Sequence, residues 1–176
     1  DVALTPTGEF RVNTTTAFVQ QTSRQDRGST QAVAMNPLGD YVVVWSSADQ
    51  DGSGWGIYGQ RFNRFGVAQG NEFQINTTTS DDQVWASVAM DQTGRFVVTW
   101  TSANQDGTPT SVFFRVFNAD GSARTGEVQA NTDAGSIQED SAVDMDASGN
   151  FIVAWEGVGP GDSNGVFARR FTVNGL

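Results

Sequence analysis

Three stretches of the chain share one pattern of apolar and polar positions. In each, a short strand of small residues leads through a polar turn ending in glycine to a run of almost continuous apolar residues. The three apolar runs are residues 41–45, 96–100 and 151–155. Helical periodicity is absent, so the pattern predicts an all-β protein. The tryptophans that end the runs, Trp45, Trp100 and Trp155, are 55 residues apart, and we expect them to pack in the core.

The same spacing continues through the rest of each unit, where two further strands are predicted. Phe62, Phe117 and Phe171 end the third strands, and the block at residues 10–16 returns at residues 73–79. The extra residues of this first interval lie in a longer loop at residues 18–30. The chain is therefore predicted to be one repeat domain, residues 1–176, with an edge strand at 9–13 and four-stranded units at 31–76, 86–131 and 141–171.

The apolar runs favour one all-β architecture over others. A strand with one wet face alternates apolar and polar residues, so a continuous run indicates that both faces are covered. Neighbouring blades of a β-propeller cover each other in this way. The sequence therefore predicts a β-propeller of three four-stranded blades, with a β-trefoil or a β-prism of pseudo-threefold symmetry as the alternatives.

A resemblance to known repeats follows from the same motifs. The succession S-V-A-M-D-x-x-G-x-F-V-V-x-W, Q-D-G, I-Y-x-Q-R-F-x-x-x-G and G-x-E-F-Q-x-N-T resembles the propeller-type blade repeats of large bacterial extracellular proteins over almost the whole chain. Residues 47–55 are similar to an Asp-box, with one extra residue before Gly52. The resemblance implies a protein that is secreted or on the cell surface, and it implies no enzymatic activity.

The order of the predicted strands suggests how chains associate. The chain starts with a fourth-type strand that has no blade before it, and its last blade ends after a third-type strand. Pairing the first with the last across two chains would remove an exposed sheet edge. We expect a homo-oligomer, as a closed dimer or a head-to-tail filament; the alternative is that the chain is a fragment of a longer propeller. The residues assigned to this contact are Glu9, Phe10, Arg11, Val12 and Asn13 at one end and Val166, Phe167, Ala168, Arg169, Arg170 and Phe171 at the other.

The loops after the second strands carry oxygen side chains at alternate positions. This spacing is similar to the start of a calcium-binding loop, although the distal glutamate is missing and the same residues also form ordinary turns. Calcium is therefore a candidate ligand and no other cofactor is expected. The candidate calcium ligands are Asp49, Asp51, Ser53, Asn104, Asp106, Asp162 and Asn164.

Two tryptophans, Trp55 and Trp85, do not repeat and lie near loops. Aromatic side chains in such places can stack on sugars, so a carbohydrate-binding lectin is the alternative function, with glycan as the partner. The remote alternative is a glycoside hydrolase fragment, for which Asp144 and Asp146 are the acids nearest each other along a strand. The repeat assigns Asp146 to a turn, so no catalytic residue is predicted and the protein is expected not to be an enzyme.

Composition excludes several other classes of function. The 176 residues hold 20 acidic side chains and 10 basic ones, all arginine, which give a formal net charge of -10. This charge argues against nucleic acid as a partner, since phosphate binding needs clustered positive charge. Without cysteine, histidine or lysine the chain has no thiol or imidazole chemistry and no Schiff-base lysine. No apolar stretch reaches membrane-spanning length, so membrane insertion is not expected.

Overall fold

The computed structural model describes residues 8–22, 31–132 and 136–176. These residues form twelve strands in three antiparallel sheets and no helix, so the all-β prediction is confirmed. It follows that no helix long and apolar enough to cross a membrane occurs in the part of the chain that the structure describes. The first sheet comprises β1 (Gln20–Gln21), β2 (Val33–Met35), β3 (Tyr41–Ala48), β4 (Trp55–Phe62) and β5 (Phe73–Gln74). The second comprises β6 (Gln83–Met90), β7 (Phe96–Ala103), β8 (Thr110–Phe117) and β9 (Val128–Gln129). The third comprises β10 (Gln138–Met145), β11 (Phe151–Gly159) and β12 (Asp162–Phe171).

Each sheet is a meander in which the order along the chain is also the order in space. The register repeats, since Trp45 lies opposite Tyr58, Trp100 opposite Phe113, and Trp155 opposite Phe167. The turns between the first and second long strands also repeat. In the middle sheet the N–H of Gly94, at φ 88°, donates to the carbonyl of Asp91, a backbone geometry that favours glycine.

The first long strand of the second and third sheets, β6 and β10, which we call the innermost strand, is longer than the sequence predicts because it contains a β-bulge. The register shifts between Val84 and Ser87 in β6 and between Glu139 and Ala142 in β10. Trp85 and Asp140 lie at these bulges with positive φ. In the first sheet the strand is interrupted at the same place, because β1 and β2 both pair with β3. The longer loop predicted at 18–30 falls there, and its residues 23–30 lie outside the described residues.

The three sheets pack face to face in chain order. One core cluster, which includes Val44 and Trp100, lies between the first and second sheets, and another, which includes Val97 and Trp155, lies between the second and third. Burial of this apolar surface is the main stabilising contribution. The alternative folds do not fit, because the described strands form no closed barrel, as a β-trefoil requires, and no single core shared by three sheets, as in a β-prism.

The prediction that the apolar strands are covered on both faces is correct for the middle sheet. Every residue from Phe96 to Trp100 of β7 is buried. In the third sheet one face of β11 is open, and Ile152 is 43% exposed. In the first sheet Tyr41 and Val43 are partly exposed on the opposite open face. The first and third sheets therefore each have one face that no sheet of the described residues covers.

Candidate assembly site

The residues before β1 lie against the open face of the first sheet, and we call residues 8–15 the head segment. The Phe10 ring meets the Phe62 ring edge-on at 5.5 Å and 62°. One unit later, the β5 residue Phe73 meets Phe117 of the next sheet at 5.8 Å and 64°. We call β5 and β9, the last strands of the first two sheets, the outer strands. The head segment thus repeats the contact that the outer strand β5 makes with the following sheet.

A second repeated contact uses an asparagine. The Nδ2 of Asn76 donates to the Thr78 carbonyl at 2.7 Å and to Gln83 Oε1 at 3.0 Å. The Nδ2 of Asn13 donates to the Thr15 carbonyl at 2.6 Å and to Gln20 Oε1 at 3.1 Å. Both amides fix the turn that leads from an outer strand into the innermost strand of the next sheet.

A glutamate supplies the third repeated contact. Glu72 accepts hydrogen bonds from the backbone N–H of Thr14 at 2.6 Å and from Nε2 of Gln50 at 2.7 Å. One unit later, Glu127 accepts the backbone N–H of Thr77 and of Thr78. It also accepts a hydrogen bond from Nε2 of Gln105 at 2.8 Å. Glu127 therefore fixes the connection between the first and second sheets, and Glu72 fixes the connection from the head segment to the first sheet. The sequence analysis missed these glutamates, although their spacing of 55 matches the repeat.

The pKa of Glu127 leads to a pH-dependent prediction. Burial alone would raise this pKa, but the hydrogen bonds from Thr77, Thr78 and Gln105 outweigh it and hold the pKa below its usual value of 4.5. A lowered folded-state pKa stabilises the fold above the unfolded-state value, and this contribution is lost as the pH falls through the folded-state pKa. We expect Glu127→Gln to lower the free energy of unfolding by about 1 kcal/mol at pH 7, because the carboxylate is partly open to water. Urea titrations from pH 7 to pH 3 should show the difference from wild type shrinking; a constant difference would contradict it.

The head segment, unlike β5 and β9, pairs with no strand of the described chain. Residues 9–13, where the sequence predicts an edge strand, therefore contact the first sheet as an outer strand does, but they have no backbone pairing with a described strand. A cleft of about 430 Å³ separates it from the first sheet and is lined by residues that include Val12, Gln20, Val43 and Trp45. This cleft lies where the rest of a preceding sheet would pack.

The third sheet has the opposite deficiency, because β12 has no strand on its outer side among the described residues. In the first sheet the N–H of Ile57 donates to Asn76 Oδ1 and its carbonyl accepts the N–H of Ile75. In the second sheet Val112 makes the same two bonds with Asn131 and Ala130. Their counterpart in β12 is Val166, which is 77% exposed.

The residues assigned to assembly in β12 divide between two environments. Phe171 is buried, Phe167 packs against the second core cluster, and Arg169 donates to the Ala130 carbonyl of the middle sheet. Their side chains therefore hold the third sheet to the second rather than facing a partner. The side chains of Val166, Ala168 and Arg170 are exposed. The backbone edge of β12 remains a candidate for pairing.

The loop carboxylates proposed as calcium ligands make hydrogen bonds within their own sheets. Asp106 accepts from the hydroxyls of Thr108 at 2.6 Å and Ser111 at 2.7 Å and from Nε2 of Gln129 at 2.6 Å. Burial alone would raise the pKa of Asp106, but these hydrogen bonds outweigh it and keep the pKa below its usual value. Asp51 accepts the N–H of Ser53 and Nε2 of Gln74. Both carboxylates tie a hairpin loop to the outer strand of the same sheet.

Asp49 and Asn104 lie in the hairpin loops of the first two sheets, whereas Asp162 and Asn164, which the sequence places in a loop, belong to β12, because the hairpin of the third sheet is shorter. Asp49 and Asn104 take positive φ and close their loops through backbone bonds, and Asp162 accepts the N–H of Asn164 at 3.0 Å. Among residues 8–22, 31–132 and 136–176, no group of three or more acidic side chains is placed to hold a metal ion. Calcium binding stays a prediction.

The two unrepeated tryptophans lie on different elements. Trp55 begins β4, and its backbone N–H donates to Asp82 Oδ1 at 3.1 Å. Trp85 lies in the bulge of β6 with φ 58°. Both are partly exposed, and glycan binding by either stays a prediction.

The two acids considered for catalysis, Asp144 and Asp146, have different surroundings. Asp146 Oδ1 accepts the N–H of Ser148 and of Asn150, as Asp91 and Asn36 do in the equivalent turns, so its turn role is confirmed. Asp144 is exposed on the open face of the third sheet.

Comparisons with known proteins add a likeness of fold. No protein-family model matches the chain, and no curated protein matches it at a significant level. Among solved structures, an endo-arabinase from Bacteroides thetaiotaomicron VPI-5482 is similar, with a TM-score of 0.52 and 13% sequence identity. The likeness covers 93% of this chain and 60% of that one, so the chain spans about three fifths of the enzyme. At this identity the likeness shows the fold alone.

Proposed function

We propose that the protein is a non-catalytic, extracellular β-propeller module that self-assembles, its chains joined through the head segment and the open edge of β12. The carrying observation is that the head segment makes the three contacts of an outer strand, through Phe10, Asn13 and Thr14, without a sheet to which it belongs. Within the described ranges, the third sheet lacks the outer strand that the other two sheets have. The head segment of one chain could therefore serve as the outer strand beside β12 of another chain.

The packing of the sheets supports the propeller arrangement. Consecutive sheets cover each other face to face, and the first and third each keep one face open. Joining the open faces of two chains would place six sheets in a ring, a number within the range of known propellers. The likeness to an endo-arabinase leaves open whether this chain has an activity; the non-catalytic assignment rests on the structural roles of its acids, such as Asp146 and Asp106.

The mass of the particle in solution tests this proposal. We expect analytical ultracentrifugation of the full chain to give a dimer at micromolar concentration. Deleting residues 1–13 and, separately, the substitution Val166→Pro should each shift the particle to the monomer, because each removes main-chain hydrogen bonds along the joint. Val166→Thr, which keeps the backbone N–H, is the matched control. A wild-type chain that sediments as a monomer would overturn self-assembly.

A further inference from the structure

The outer strands of the first two sheets are tied to a hairpin loop by a glutamine and an aspartate. Nε2 of Gln74 in β5 donates to Asp51 Oδ2 at 2.9 Å, and Nε2 of Gln129 in β9 donates to Asp106 Oδ2 at 2.6 Å. These contacts join residues 23 positions apart, and they repeat at a spacing of 55. The pair therefore marks where an outer strand belongs on its sheet.

In the third sheet the aspartate is present, and no outer strand lies beside β12 in the part of the chain that the structure describes. Asp162 accepts the N–H of Asn164, two residues on, as Asp51 accepts that of Ser53. Both aspartates also lie close to the equivalent glycine of the next strand. A Cβ atom added to Gly165 would lie 3.0 Å from Asp162 Oδ2, and one added to Gly56 would lie 2.6 Å from Asp51 Oδ2. Asp162 is thus the counterpart of Asp51, and it is exposed at the open edge.

The head segment carries a different residue at the glutamine position. Phe10, Arg11 and Asn13 align with Phe73, Gln74 and Asn76, so an arginine replaces the glutamine. Arg11 is exposed. An arginine opposite an aspartate forms an ion pair in which both partners are charged and which can be bidentate, whereas the glutamine donors of the first two sheets are neutral. Among the described residues, Arg11 is the one cation at this position of the repeat. Within the same ranges, Asp162 is the one aspartate of the repeat that receives no hydrogen bond from an outer strand, so the two residues match.

A second residue of the head segment fits the same joint. Glu9 stands in the position of Glu72 and Glu127, directly before the outer-strand phenylalanine or valine. Each of those two glutamates accepts N–H groups from the connection that leads into its own sheet. The connection between the second and third sheets includes Thr132, the counterpart of Thr77, and among the described residues the third sheet has no outer strand that could carry a glutamate in the same position.

We infer that Arg11 and Glu9 are the specificity residues of a joint with a second copy of this chain, in which Arg11 pairs with Asp162 and Glu9 accepts the N–H of Thr132. The inference rests on the proposed self-assembly and adds its register. By analogy with β4–β5 and β8–β9, Arg11 lies opposite Phe167 and Phe10 opposite Ala168, in an antiparallel pair. Asn13 Oδ1 then accepts the N–H of Val166, as Asn76 accepts that of Ile57. The head segment keeps its place on its own first sheet.

Charge reversal tests the pair without removing the strand. Arg11→Asp and Asp162→Arg are made separately in the full chain, with Asp120→Arg, an exposed turn residue of the middle sheet, as the control for the same change of charge. We expect each of the two single variants to raise the dimer dissociation constant by at least about tenfold, since each places like charges at both joints. An equimolar mixture of the two should restore the wild-type dissociation constant, because every joint then holds one arginine and one aspartate. Sedimentation equilibrium measures the dissociation constant of the wild type, of the three variants and of the mixture.

The outcomes separate the two proposals. Loss of the dimer in both single variants with recovery in the mixture supports the Arg11–Asp162 pair. A wild-type dimer that both variants leave unchanged, or variants that no mixture rescues, overturns this inference and leaves self-assembly standing. A monomeric wild type overturns the proposed function itself. Thermal unfolding of each variant shows whether the monomer keeps its fold.

Discussion

Replacing Trp100 by alanine should cost about 3–5 kcal/mol of folding free energy, the range for a large aromatic side chain in a closed core. Trp100 is 0% exposed and belongs to the cluster between the first and second sheets. Its Nε1 has no hydrogen-bond partner. The loss would therefore come from buried apolar surface and from the cavity left behind, with no contribution from a broken hydrogen bond.

Two other tryptophans are the controls for this variant, and urea unfolding followed by circular dichroism measures all three. Trp155 is 7% exposed and donates from Nε1 to Gln138 Oε1 at 2.7 Å, so Trp155→Ala should be costly and should also leave a buried oxygen unpaired. Trp55 is only partly buried, and Trp55→Ala should cost about 1 kcal/mol or less. If Trp100→Ala cost no more than Trp55→Ala, the middle sheet would not be packed on both faces.

The spacing of the repeat predicted most of the strands because the same residues meet the same surroundings in every unit. Trp45, Trp100 and Trp155 are buried in three equivalent places, as expected of core positions. The bulges escaped prediction, since Trp85 takes positive φ, which is uncommon for a bulky residue, and aspartates such as Asp140 adopt positive φ more often than most residues but still only in a minority of cases. The burial of both faces was also over-predicted for the outer sheets. A residue such as Ile152 is apolar whether or not a neighbouring sheet covers it.

The candidate site was predicted as a region, and its chemistry was not. The head segment was identified from the return of one block of sequence, yet the repeated pairs Gln50–Glu72 and Gln105–Glu127 were not. Polar repeats are hard to interpret from sequence, because a glutamine or glutamate at a fixed spacing suits an exposed strand equally well. From the sequence, the loop aspartates suit both a calcium site and a plain turn, because oxygen at alternate positions can bind a cation or cap a backbone turn. Only the positions of donors such as Gln129 show that Asp106 ties the loop to the outer strand.

Replacing Asn76 by alanine should lower the free energy of unfolding by about 3 kcal/mol, the largest effect expected for a polar side chain of this protein. Asn76 is 3% exposed, and its side chain bonds the N–H of Ile57 at 2.7 Å, the Thr78 carbonyl and Gln83. The N–H of Ile57 and the side chain of Gln83 are buried, so the substitution would leave groups with neither water nor a protein partner. Chemical unfolding of Asn76→Ala at neutral pH measures the cost.

Asn13→Ala is the matched control, because Asn13 makes the same bonds to the following turn and the next innermost strand but has no counterpart of Ile57 in the described chain. In the monomer we expect a cost of about 1 kcal/mol, since Asn13 is only partly buried. At concentrations where the chain self-assembles, the cost should rise towards that of Asn76→Ala, because the N–H of Val166 from a second copy then occupies the place of Ile57. A cost of Asn13→Ala that stays the same across the assembly transition would mean that no strand pairs with the head segment.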